Sequence, residues 1–108
     1  MLNDVQHLEA SRVTAQQLLK KHGVNAAAAV EEAFRLATAR KPLEKEFVIL
    51  LKLHAWQLER FRTDVAAAAV LLKNGDSPAP ADVDPASLAA LTMTVSTVMN
   101  HAESVLLR

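Results

Sequence analysis

The chain has 108 residues, with 12 basic and 12 acidic side chains and a formal net charge of zero, so it lacks the long-range field that gathers nucleic acid or an anionic membrane surface. It contains no cysteine, which excludes disulfides, a thiolate nucleophile and a cysteine-ligated metal, and suits a reducing compartment such as the cytoplasm. This length suits one domain, residues 1–108, able to bury roughly two thirds of the surface its unfolded form exposes.

The start of the chain, MLNDVQHLEASR, mixes acids with polar residues ahead of any apolar run. It has neither the basic start nor the hydrophobic stretch of a signal peptide. A first helix is predicted over residues 4–22, with Leu8, Ala15 and Leu19 on one face. Lys20 and Lys21 complement the dipole of its last turn, and Gly23 stops it. Asn25 caps a second helix, 26–40, in which Glu31 and Glu32 fall near the start and Arg40 and Lys41 at the end. Pro42 closes that helix and opens the next.

Residues 43–73 read as one long helix. Its seam runs Phe47, Leu51, His54, Leu58, Phe61, Val65, Ala68, Leu72 at alternating spacings of four and three, the signature of a helix facing a partner helix. Unbroken, it would span about 45 Å. Three prolines and three aspartates mark 74–84 and its closing Pro85 as a surface loop. Asp84 caps a fourth helix, 85–107, with Pro85 in its first position and a seam of Leu88, Leu91, Val95, Val98, Ala102 and Val105. Short joints favour antiparallel neighbours, so the expected fold is all-α: an antiparallel, up-and-down bundle of four helices with one long central helix.

Two helices carry a second uncharged face. On the third, Ile49, Leu53 and Trp56 lie roughly opposite the seam, and Arg60 lies one turn beyond Trp56, within reach of its ring. On the fourth, Ala86, Ala90, Met93 and Thr97 lie behind the seam, within an 18-residue stretch, 85–102, that contains no Asp, Glu, Lys or Arg. That stretch is too rich in Ser, Thr, Asn and His to span a membrane. Uncharged faces on a water-soluble helix are buried against something, either another helix of the same chain (the first or second, over the third) or a second copy; these eight residues are the candidate interface of a homo-oligomer, most simply a twofold dimer.

The residues for chemistry are scattered. His7, His22, His54 and His101 do not follow a Glu at the i, i+3 spacing of a carboxylate-bridged two-metal centre. His7 and His101 point away from the inferred inner faces, unlike a pair of axial haem ligands. His54 is followed at the third and fourth positions by Gln57 and Leu58, where histidine phosphotransfer bundles carry Lys and Gly. As the one polar residue in an apolar seam, His54 reads as a buried polar group that sets register. No cofactor and no metal is expected, and few aromatic residues are available for base stacking. The functional expectation is a non-catalytic, cytoplasmic protein–protein interaction module: an adaptor, chaperone or regulatory subunit, homodimeric, with no nucleic-acid or membrane partner. The alternative is a ligand- or cofactor-binding bundle with a pocket near His54, Phe47 and Phe61.

Overall fold

The computed structural model of the chain describes residues 5–23, 25–73 and 83–106, except the side chains of 5–7 and 102–106. Five helices follow one another: α1 Val5–His22, α2 Ala26–Thr38, α3 Glu44–Thr63, α4 Val65–Leu72 and α5 Pro85–Leu106. No strand occurs among the described residues. Most of the loop expected over 74–84 lies outside them, as does the side chain of His7.

Local chemistry accounts for most of the boundaries. Gly23 adopts φ +59° and returns its N–H to the Leu19 carbonyl at 2.7 Å, which ends α1. Asn25 Oδ1 accepts from the Ala28 N–H at 3.1 Å to start α2. The Asp84 carboxylate accepts from both the N–H and the hydroxyl of Ser87 to start α5. At the start of α3, Glu46 reaches back to the Leu43 N–H at 2.8 Å, satisfying an orphan donor from the N3 position.

The expected long third helix is two helices. At Asp64 the backbone leaves the helical region, with φ −133° and ψ 78°, and the Asp64 carboxylate accepts from the Ala67 N–H at 3.1 Å to begin α4. Thr63 finishes the preceding helix by donating to the carbonyls of Glu59 and Arg60. The break fits the tertiary shape. The backbone measures 36 × 26 × 23 Å along its principal axes, and an unbroken rod of about 45 Å would protrude from it.

Helix α5 packs against each of the other four helices, and α1–α2, α2–α3 and α3–α4 also touch in succession. The first four helices therefore wrap around the last. Between Ala86 and Val98 every residue of α5 is buried except Ser87, Met93 and Thr97. This explains the charge-free stretch, because a helix surrounded on nearly all sides has no face on which a charge is solvated. Its threonines remain compatible with burial because Thr92 and Thr94 donate to the carbonyls of Leu88 and Ala90 inside the helix. Around α5 the core is completed by Leu18, Val30, Phe34, Leu50, Phe61 and Leu72.

The buried side of α3 also differs from the expected seam. Leu50, His54, Gln57 and Phe61 are buried, whereas Phe47, Leu51 and Leu58 are only half-buried. The helix is thus turned by roughly 50° from the predicted facing, which brings Gln57 inside. Val65 is exposed, because the break at Asp64 removes it from the line of the seam.

Candidate functional site

The most distinctive surface feature is the outer side of α3. Ile49 is 64 % exposed and Trp56 62 % exposed, two turns apart on the same face. Leu53 between them is half-buried, Val48 is exposed beside them, and Arg60 continues the face toward the end of the helix. Lys45, Lys52 and Glu59 are exposed on the same side and make the surroundings polar. An exposed indole is costly in water: burying a side chain of this size recovers roughly 1.5–3 kcal/mol. Arg60 does not stack on Trp56 as expected. Its guanidinium lies over the ring of Phe61, 5.2 Å from the centroid, and Nη1 reaches the Gln57 side-chain oxygen at 3.5 Å. The indole face is left open.

The candidate interface residues of α5 are distributed differently. Ala86 and Ala90 are buried by the chain's own helices, so the surface assigned to a twin is covered internally at these two positions. Met93 is half-buried and Thr97 exposed. Thr97 and Ile49 meet at a cleft of about 210 Å³ between α2, α3 and α5, floored by Phe34, Leu50 and Val98. Met93 and Arg60 meet at a second cleft, about 500 Å³, at the elbow of α3 and α4. The two clefts thus join residues of the α3 face to the two candidates of α5 that remain accessible.

At the rim of the smaller cleft stands an ionic cluster that the sequence reading had not singled out. Both terminal nitrogens of Arg40 bind the Glu46 carboxylate, His101 Nε2 lies 3.9 Å from it, and the Arg40 guanidinium covers the Phe34 ring at 4.9 Å. The hydrogen bonds from Arg40, and then that from the Leu43 N–H, hold the Glu46 carboxyl down at about 2. The same bond raises the Arg40 guanidinium above its ordinary value. A capping-box position three residues after Leu43 was the available signal for Glu46. The cleft itself is smaller than the roughly 300–1,000 Å³ typical of small-molecule pockets.

A second cluster joins α1 to α2, where His22 Nε2 and Lys21 Nζ lie 2.7 and 3.0 Å from one oxygen of Glu32. The hydrogen bond with His22, followed by that from Lys21, lowers the Glu32 pKa. These groups tie a helix end to its neighbour beside an open cleft of about 560 Å³. On the inner side of α1, Ser11 and Arg12 are buried, the latter only 1 % exposed. Arg12 donates to Gln16 and lies 4.0 Å from Glu9. Nothing in the sequence marks Arg12 as internal, because an arginine on a helix is ordinarily solvated.

His54 is buried on the core side of α3, and burial lowers its pKa. Of His54, Phe47 and Phe61, only Phe61 lines any of the three clefts described above. Among the described residues no three or more His, Asp or Glu side chains gather in a metal-binding group. No described helix is long and apolar enough to cross a membrane. Comparisons of the chain with protein-family models, curated proteins and solved structures find no match.

Proposed function

We propose that this protein is a non-catalytic helical interaction module of the cytoplasm, acting as an adaptor, chaperone or regulatory subunit, and that it assembles as a homodimer through the outer face of α3. The single observation that carries the reading is the exposure of Trp56 and Ile49 on one face of a helix whose opposite face is packed in the core. Large amphipathic aromatics surrounded by charged residues are the usual anchors of protein interfaces. A helix with a second apolar stripe uses it for contact with another chain when its own chain leaves it open. In this reading α1, α2, α4 and α5 form the scaffold that holds α3 rigid, so little conformational entropy is lost on docking.

Size-exclusion chromatography with light scattering, on the wild type and on Trp56→Glu at tens of micromolar, tests the reading. The expected result is a mass twice that of the chain for the wild type and a monomer for the variant. Trp56 is exposed, so the variant keeps its helical circular dichroism. A wild type that remains monomeric at these concentrations overturns the proposal.

A further inference from the structure

The α3 face is also patterned in charge. At about 100° per residue, Lys52 lies at the centre of the outer face, with Ile49 and Trp56 to one side and Val48 and Ala55 to the other. Lys45 and Glu59 lie near the centre line at opposite ends, and Glu44 and Arg62 lie further round on the Val48 side, again at opposite ends. All of these are exposed. Among the described residues none of Glu44, Lys45, Lys52, Glu59 and Arg62 takes part in an ion pair.

We propose that α3 pairs with the α3 of a second copy in antiparallel orientation, about a twofold axis that passes beside Lys52 and Leu53. This deepens the interaction-module reading and rests on it. Around such an axis, residues on the same side of the face whose numbers add up to about 105 come together. Ile49 then meets the partner's Trp56, and Val48 meets the partner's Ala55. Glu44 meets the partner's Arg62, and Lys45 meets the partner's Glu59 across the centre line. Symmetry doubles every contact. Four of the five charges left without partners inside the chain, Glu44, Lys45, Glu59 and Arg62, thus become complementary between two chains, on both ends of the same apolar stripe.

The parallel alternative sets Lys45 against Lys45 and Glu59 against Glu59 near the centre line, both repulsive, and leaves Glu44 and Arg62 on the flank opposite their copies. In the antiparallel pair the like-charge contacts are Arg60 with the partner's Lys45, whose numbers also add up to 105 on the Ile49 side, and, at the axis, Lys52 with its own copy. The flexible stem of Lys52 lets the ammonium turn out to water while the methylenes cover the indole edge. Arg60 remains over Phe61, outside the central contact.

Two single-charge variants test the pairing, each checked for helical circular dichroism. Lys45→Glu alone or Glu59→Lys alone opposes like charges twice, and each is expected to weaken the homodimer about tenfold. Mixed in equal amounts, the two restore both contacts as a dimer of unlike chains, to within about threefold of the wild-type dissociation constant. Orientation is read separately. The natural chain has no cysteine, so Val48→Cys mixed with Ala55→Cys is expected to give disulfide-linked dimers on mild oxidation, whereas Val48→Cys alone gives none. A dimer that Trp56→Glu dissolves, but in which the charge variants do not rescue each other or Val48→Cys links to itself, overturns the antiparallel pairing and leaves the α3 interface standing. A monomeric wild type, or a dimer indifferent to Trp56→Glu, overturns both.

Discussion

Arg40 and Glu46 meet as a bidentate pair across the joint between α2 and α3, with Nη1 2.9 Å from Oε1 and Nη2 3.1 Å from Oε2. The same carboxylate takes the Leu43 N–H, so one side chain both caps α3 and ties it to the end of α2. Because these hydrogen bonds hold the Glu46 carboxyl at about 2, below its ordinary 4.5, its contribution to stability is complete above pH 4.5 and is lost as pH falls toward 2. Glu32, lowered by His22 and Lys21, acts in the same sense. Differential scanning calorimetry of Glu46→Gln should show a lower Tm at pH 7 and a shallower fall in acid. An acid profile parallel to that of the wild type contradicts this account.

His54 titrates in a separate window. Burial lowers its pKa below the ordinary 6.5, so the folded state is fully stable with respect to this group above about pH 6.5 and loses stability as pH falls from there. The expected outcome is a decline in Tm between pH 6.5 and 5, before the carboxylates protonate. His54→Leu should remove that decline, and a variant that retains the wild-type slope assigns the effect to another group.

The break between α3 and α4 rests on the Asp64 cap. Asp64→Ala removes the acceptor for the Ala67 N–H and should cost about 1 kcal/mol. In a domain of this size that corresponds to a Tm lower by about 4–8 °C. Asp64→Asn keeps the acceptor and should lose much less. Equal losses in the two variants would assign the effect to charge and not to the cap.

Ala39 terminates α2 in the left-handed region, at φ 62°, a conformation that strains any residue with a Cβ. Ala39→Gly relieves the strain and should stabilise the fold by about 1 kcal/mol, the reverse of the usual effect of introducing glycine. Urea unfolding would show the midpoint rising with unchanged slope. A lower midpoint would mean that unfolded-state entropy outweighs the strain.

The helices were legible in the sequence because their signals are local. Gly23, Asn25, Asp84 and Pro85 act on backbone groups within a turn of themselves, so spacing and residue type suffice to place these ends. The Asp64 break was equally local in its signal, a capping residue followed by Val65 and a run of alanines, but the seam that continues to Leu72 masked it. Ala39 carries no signal, since alanine is the strongest helix former and its left-handed conformation is imposed by the chain's turn into α3. On the candidate surface, Ile49 and Trp56 were found by their position opposite the core seam. Ala86 and Ala90 looked the same in sequence and proved to be internal.

The sequence by itself determined that this chain is helical, where most of its helices start and stop, and that two of them have apolar residues on more than one side. Those properties follow from interactions within three or four residues along the chain. Only the tertiary structure decided which of the extra faces meets water, because periodicity shows that a face is apolar and cannot show how many helices surround it. With four helices wrapped around α5, Ala86 and Ala90 of its rear are used up inside the molecule, while Thr97 stays exposed. Helix α3 lies in the wrapping layer, and its Trp56 and Ile49 remain exposed.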